Sequence, residues 1–116
     1  MNWYKKVTAS IDGSKVRSDA KKAFQNIDID EMVDATCFEC NNRLHYEMAK
    51  IDPIYLMARV SSGHSFLMID DWIIDMWEFG KPKLKVWHYT DPEIQQDSDY
   101  NWPGKKEGNP PSRMRG

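Results

Sequence analysis

The sequence predicts an α+β domain in which N-terminal helices, one of them carrying a cysteine, pack on an antiparallel β-sheet. Three observations support this fold class. Apolar residues recur at helical spacing over residues 14–27, a Thr36-x-x-Glu39 capping box begins a second helix, and residues 63–77 have the pattern of a β-hairpin. Because the helices come first and the strands follow, the order is typical of α+β folds.

The helices are predicted from apolar stripes and from the residues at their ends. The first covers residues 14–27, and Asp12-Gly13-Ser14 supplies a turn and a candidate N-cap before it. A short acidic helical turn is expected over residues 29–35. The second long helix is predicted over residues 37–50, and Asp52-Pro53 ends it because the residue before a proline avoids the helical region.

The strands are predicted from residue 54 onward. Residues 54–61 fit a strand because they are mainly apolar, and residues 63–77 form a hairpin with Asp70-Asp71 as its two-residue turn. A break at residues 80–82 precedes a last strand near residues 83–89. The sheet is therefore expected to be antiparallel and to follow the helices.

The domain organisation follows from where this patterning ends. Residues 1–90 are predicted to form a single α+β domain of catalytic type. From residue 91 to residue 116 the chain is rich in proline and glycine and has little apolar periodicity. This composition predicts a mobile or loosely attached tail, with Trp102 as its anchor.

Composition and charge exclude several classes of function. The formal net charge of -2 and the scattered basic pairs give no electrostatic basis for binding nucleic acid. The longest apolar runs are too short to cross a bilayer, so no membrane partner is expected. The start of the chain lacks the apolar run of a secretory signal, and we therefore expect a cytoplasmic location.

Cys37 is the candidate nucleophile. With Thr36 as N-cap, Cys37 occupies the first helical position, where unpaired amides and the helix dipole favour an anion and could bind an oxyanion. The alternative is structural, because Cys37 and Cys40 also fall on one apolar stripe of the helix and free cysteine is often buried. Cys40 lies one turn deeper, where a substrate would not reach it.

His64 and Asp75 are the candidate base and its orienting group. Pairing outward from the hairpin turn sets Phe66 opposite Asp75, which makes His64 and Asp75 diagonal neighbours on one face. Asp75 interrupts an otherwise apolar segment and therefore needs a partner. That partner is either a backbone amide or Arg59, or it is Nδ1–H of His64, which leaves Nε2 facing the sulfur. Trp77, on the same face, is expected to shield the pair from water.

This pattern resembles the papain-like, transglutaminase-core superfamily of cysteine enzymes, and in particular the small leader-peptide-cleaving proteases of lasso peptide biosynthesis. The likeness covers about residues 30–80, through Thr36-Cys37, the strand at 54–61, the segment 64–69 and the segment 72–75. The resemblance implies a helix packed on an antiparallel sheet. It also implies that Cys37 is the nucleophile, that His64 is general base and then general acid, and that Asp75 orients the imidazole.

The chemistry that the resemblance implies is cleavage or transfer at an amide or peptide bond through a thioester. A peptide or protein is then the substrate, and neither an organic cofactor nor a metal is needed. Papain carries a glutamine as oxyanion donor six residues before its cysteine, and Glu31 stands there in this chain. The donor is therefore expected from backbone amides or from Asn41, Asn42 or Gln25, and we assign Asn41 and Trp77 to substrate binding.

Three other interpretations remain open from the sequence. Cys37-x-x-Cys40 followed by His45 begins like a zinc knuckle, but Lys50 stands where a fourth ligand would be expected. The same cysteine pair could be a redox pair, although no strand precedes it. The third is a non-enzymatic interaction domain, such as a phage or mobile element encodes, with a degenerate catalytic core and an aromatic binding surface made of Trp72, Trp77, Trp87, Tyr89 and Trp102.

Overall fold

A computed structural model of the protein describes residues 11–57, 59–60 and 64–111. The helices are α1 (Gly13–Gln25), α2 (Cys37–Ile51) and α3 (Pro92–Gln96), and the strands are β1 (Arg59–Val60), β2 (Leu67–Ile69), β3 (Trp72–Glu78) and β4 (Lys81–His88). The strands form one antiparallel sheet in the order β1-β2-β3-β4, and the predicted α+β class is confirmed. Among the residues described, no helix has the length and apolarity needed to cross a bilayer.

Helices α1 and α2 cover one face of the sheet. Asp12 caps α1 by accepting a hydrogen bond from the Ser14 amide, as predicted. A single 3-10 turn, Ile29–Met32, replaces the longer acidic turn expected over residues 29–35. The main core lies between these helices and the sheet, with fully buried side chains that include Val16, Ala20, Leu44, Met48, Ile74 and Met76.

Helix α2 begins where the capping box predicts. Thr36 Oγ1 accepts a hydrogen bond from the Glu39 amide at 3.1 Å, and Glu39 Oε1 accepts one from the Thr36 amide at 3.1 Å. Two of the amides that a helix start leaves unpaired are thereby satisfied. Cys37 is consequently the first residue of the helix, and its side chain is half-buried.

The hairpin has the predicted register and turn. Leu67 pairs with Ile74, Met68 pairs with Ile73, and Asp70-Asp71 connects the two strands. The next connection is a two-residue turn at Phe79-Gly80, with φ of 48° and 82°. The predicted break at residues 80–82 is therefore shorter, and β4 begins at Lys81 rather than at residue 83.

The strand predicted at residues 54–61 is wrong over its first half. Residues Pro53–Met57 form a 3-10 turn, and within the described residues β1 covers Arg59–Val60. The Asp52 side chain accepts a hydrogen bond from the Ile54 amide at 3.0 Å, which favours a turn at this point. Tyr55 is then buried against α1, where its hydroxyl donates to Asp19 at 2.7 Å. Residues 58 and 61–63 lie outside the described part of the chain.

The predicted loose tail is also wrong for residues 91–111. This segment packs on the second face of the sheet, with Ile94 fully buried and with Tyr100 and Trp102 only 6% and 4% exposed. They form a second cluster with Phe66, Met68, Ile73 and Trp87. The physical reason is that the strands are apolar on both faces, whereas the helices cover only one. Trp102 is an anchor as expected, but the domain extends past residue 90, and residues 112–116 are outside the described chain.

Candidate active site

The sulfur of Cys37 lies at the N-terminal end of α2, beside the chain segment that leads into β2. The Ser65 amide donates a hydrogen bond to Cys37 Sγ at 3.4 Å. A sulfur at this position has a backbone donor from outside the helix, and it is also close to the first-turn amides of α2. Both would stabilise negative charge that develops on or near the sulfur.

His64 and Asp75 are in direct contact, as the hairpin register predicts. His64 Nε2 lies 2.8 Å from Asp75 Oδ2, and the imidazole is largely enclosed. The contact is made by Nε2 and not by the predicted Nδ1, which is a correction. His64 lies three residues before β2, so its ring is placed by the aromatic rings around it rather than by the strand ladder. Because an ionised carboxylate only accepts, Nε2 carries the proton, and Nδ1 is the basic nitrogen of the neutral ring.

The Asp75 carboxylate is fully buried and accepts four hydrogen bonds. Asn41 Nδ2 and the Trp77 amide each donate to Oδ1 at 2.9 Å. His64 Nε2 and the Tyr100 hydroxyl contact Oδ2 at 2.8 Å and 2.6 Å. A carboxylate has about four lone-pair sites, so its acceptor capacity is filled. This network is what allows a charged group to remain away from water.

A bulge in β3 explains part of this network. The pairing of β3 with β4 shifts register between Asp75 and Trp77. The Met76 amide donates to Asn41 Oδ1 at 3.0 Å, and the Trp77 amide donates to Asp75 as described. Bulges are frequent beside functional sites because they redirect side chains. Here the Trp77 ring lies 5.5 Å from the His64 ring, as expected of a shield, and its indole N–H is bonded to the Ala35 carbonyl at 3.1 Å.

Asn41 connects the three parts of the site rather than facing a substrate. Its side chain is fully buried, and Nδ2 lies within hydrogen-bond distance of the carbonyls of Cys37 and Ser65 and of Asp75 Oδ1. Its Oδ1 accepts the Met76 amide. The assignment of Asn41 to substrate binding, or to an oxyanion donor, therefore does not fit its position. Asn41 fixes the start of α2 against β3.

Replacing Asn41 with alanine is expected to destabilise the fold by roughly 2–3 kcal/mol, because a buried amide and a buried carboxylate each lose a partner. The measurement is urea unfolding followed by far-UV circular dichroism. Asn42→Ala is the matched control, since Asn42 is the next residue on α2 and is only half-buried. Equal midpoints for the two variants would show that the Asn41 network contributes no stability.

Tyr100 is a site residue that the sequence pattern does not reveal. It is buried, and its ring lies edge-on to the His64 imidazole with centroids 5.0 Å apart. Burial, reinforced by the hydrogen bond to Asp75, raises the pKa of the Tyr100 hydroxyl. The available signal is the recurrence of Ile94, Tyr100 and Trp102 in a segment whose proline and glycine content suggests mobility.

The remaining candidate ligands are dispersed. Cys40 is fully buried in the core, and burial, with a smaller effect of the Asp75 charge, raises the pKa of its thiol to about 11. His45 Nε2 contacts the Tyr55 carbonyl at 2.7 Å, and the His88 ring, at the end of β4, lies edge-on to the Trp72 ring. Within residues 11–57, 59–60 and 64–111, no group of three or more histidine, cysteine, aspartate or glutamate side chains has the arrangement of a metal site. Cys37 and Cys40 are both free thiols.

A cleft of about 310 Å³ opens beside His64. His64, Trp77, Phe79 and Tyr100 are among the residues that line it, and Phe79, in the turn between β3 and β4, has 91% of its surface exposed. The imidazole is therefore reachable from solvent on the side of the C-terminal segment.

The arrangement brings together a thiol at a helix start, an imidazole and a buried carboxylate. These are the groups that thiol-based acyl transfer uses: a nucleophile, a base and a group that orients the base. Comparison with known proteins adds no assignment, since no protein-family model, no curated protein and no solved structure matches this chain.

Proposed function

We propose that the protein is a cysteine-dependent peptidase or amidase, or an acyl transferase of the same mechanism, with Cys37, His64 and Asp75 as its catalytic residues. The observation that carries the proposal is the contact of His64 Nε2 with Asp75 Oδ2 at 2.8 Å. The amide of the next residue, Ser65, donates a hydrogen bond to Cys37 Sγ. Burying a charged carboxylate costs free energy unless hydrogen-bond donors surround it. Asp75 has four such donors and lies beside an imidazole, and this arrangement favours a functional role for His64 and Asp75.

The first step is activation of the thiol. Because Asp75 holds the proton on Nε2, Nδ1 of His64 is the nitrogen that would accept the proton of Cys37. The imidazolium that results is stabilised by the negative charge of Asp75. The thiolate that results is stabilised by the Ser65 amide and by the start of α2.

The second step is attack of Cys37 Sγ on the carbonyl carbon of an amide. The carbonyl π electrons move to oxygen, and backbone amides near Cys37 are the donors available to the oxyanion. As the C–N bond breaks, Nδ1–H of His64 gives its proton to the leaving amine, which leaves a thioester on Cys37. Water, or an amine if the enzyme transfers the acyl group, then gives a proton to Nδ1 and attacks the thioester carbonyl. The C–S bond breaks, and Nδ1–H returns its proton to Sγ, which releases the product and restores the Cys37 thiol.

The proposal includes membership of the papain-like, transglutaminase-core superfamily and a peptide or protein substrate. It is supported by the order of the three residues along the chain, by the Ser65 amide that donates to Cys37 Sγ, and by the contact of His64 with Asp75. The cleft beside His64 gives solvent access to the imidazole, and Cys37 is not among the residues that line it.

The interaction-domain alternative is less well supported. It depends on an aromatic binding surface, but Trp87 and Trp102 are only 8% and 4% exposed and belong to the second core cluster. Phe79 remains exposed and lines the cleft. Phe38 and Tyr46, on α2, are exposed as well, and exposed aromatic residues are normal on a protein surface and do not by themselves indicate a partner.

The test is the pH dependence of iodoacetamide alkylation, mapped by mass spectrometry, in the wild type and in His64→Ala. Cys37 is expected to be alkylated rapidly at neutral pH and to lose most of that reactivity without His64. Cys40 is the internal control, because burial raises its pKa to about 11 and it should remain unmodified at neutral pH. Superimposable Cys37 profiles for the two proteins would contradict the proposal.

A further inference from the structure

We propose that Tyr100 is a positioning residue of this site, whose hydroxyl acts through Asp75 to hold His64 as the Nε2–H tautomer. The inference rests on the proposed function, since only thiol activation requires Nδ1 to be the basic nitrogen. It assigns a role to the C-terminal segment, which supplies no group to the catalytic trio itself.

The first observation is that Tyr100 and His64 share one carboxylate oxygen. The Tyr100 hydroxyl donates to Asp75 Oδ2 at 2.6 Å, and His64 Nε2 contacts the same atom at 2.8 Å. The Tyr100 oxygen also accepts from Lys85 Nζ at 3.4 Å. Since burial raises the pKa of Tyr100, the phenol keeps its proton at neutral pH and can only donate to the carboxylate.

The second observation is that each of the four lone pairs of the Asp75 carboxylate accepts one hydrogen bond. Oδ1 is taken by Asn41 and by the Trp77 amide, and Oδ2 has one lone pair for Tyr100 and one for His64. The carboxylate cannot turn without breaking several bonds. The Oδ2 lone pair that faces the imidazole is therefore fixed in direction, and it selects a donor, Nε2–H, from the ring.

The substitution Tyr100→Phe isolates the hydroxyl. The ring contacts of Tyr100 with His64 and Phe66, at 5.0 Å and 5.1 Å between centroids, can persist in the phenylalanine. What is lost is one of the four donors to Asp75. Oδ2 then has a second lone pair with no protein donor, and the carboxylate loses a restraint on its rotation.

The chain provides a closely matched control in Tyr55→Phe. Tyr55 is 1% exposed, and its hydroxyl donates to Asp19 Oδ2 at 2.7 Å, in a contact that does not involve Cys37, His64 or Asp75. Both substitutions remove a buried tyrosine–aspartate hydrogen bond of nearly the same length. Both should therefore lower the unfolding midpoint to a similar extent.

The experiment reads the His64 tautomer by ¹⁵N chemical shifts of the imidazole at neutral pH, together with the second-order rate of Cys37 alkylation. In the wild type and in Tyr55→Phe we expect the Nε2–H form to dominate and the rate to be the same. In Tyr100→Phe we expect a mixture of tautomers and a rate about tenfold lower, comparable to the loss of one hydrogen bond to a charged group. A tautomer and rate unchanged from Tyr55→Phe would overturn the inference.

The two readouts separate this inference from the proposed function. If Cys37 of the wild type reacts as an ordinary thiol, the hydrolase proposal fails, and the alkylation rates no longer bear on Tyr100. The tautomer measurement requires no reactivity of Cys37, so it decides on Tyr100 in either case.

Discussion

Replacing Asp75 with alanine is expected to destabilise the protein by about 4 kcal/mol or more, because four donors, two of them buried and two part-buried, each lose an acceptor at a cost of ~1 kcal/mol or more. Domains of this size are stable by only roughly 5–15 kcal/mol, so a large part of the variant should be unfolded at 37 °C. Urea unfolding monitored by tryptophan fluorescence measures the loss. A midpoint close to that of the wild type would mean that the network around Asp75 is absent in solution.

The variant Asp75→Asn separates catalysis from stability. The amide keeps the shape of the carboxylate but presents its own N–H groups to donors that need an acceptor, and it carries no charge to stabilise an imidazolium. We expect Cys37 alkylation to fall to the level of His64→Ala in the fraction that is folded. Asp30→Asn is the control, since Asp30 is exposed on the 3-10 turn and should leave both stability and alkylation unchanged.

Ending the chain after Thr90 is expected to abolish cooperative folding. The truncation removes Ile94, Tyr100 and Trp102, which are 0%, 6% and 4% exposed. Burial of each such side chain contributes roughly 1.5–3 kcal/mol, and their sum approaches the whole stability of a small domain. The truncation also exposes the apolar face of the sheet that carries Phe66 and Ile73.

The measurements for the truncated chain are near-UV circular dichroism and binding of an apolar dye. We expect loss of the fixed aromatic signal and strong dye binding, whereas the full chain shows neither effect. A truncated chain with a native aromatic signal and a cooperative urea transition would support the prediction of a loosely attached tail. The sequence composition and the structure thus make opposite predictions for this one experiment.

The elements that the sequence predicts well are those set by local chemistry. The start of α2 follows from Thr36 and Glu39, whose side chains satisfy amides three residues away. The hairpin register follows from alternation about Asp70-Asp71, and this alternation alone is enough to predict that His64 lies near Asp75. Both predictions depend only on residues that are close in the sequence.

What could not be predicted depends on distant partners. Tyr100 reaches Asp75 across 25 positions of the chain, and no local pattern encodes that hydrogen bond. The choice between Nε2 and Nδ1 of His64 depends on where the rings of Trp77 and Tyr100 place the imidazole. The failed strand near Ile54 has a more local cause, since the Asp52 side chain satisfies the Ile54 amide and outweighs the strand propensity of the apolar run.

The order in which the chain supplies the Asp75 network has a consequence for synthesis on the ribosome. Asn41, His64 and Trp77 come from the first ninety residues, whereas the fourth donor, Tyr100, lies on the segment that is translated after them. A nascent chain that has emerged only through β4 therefore lacks both the fourth donor to Asp75 and the residues that cover the second face of the sheet. Docking of the last part of the domain therefore completes the donor set of Asp75 and covers the second face of the sheet in one step.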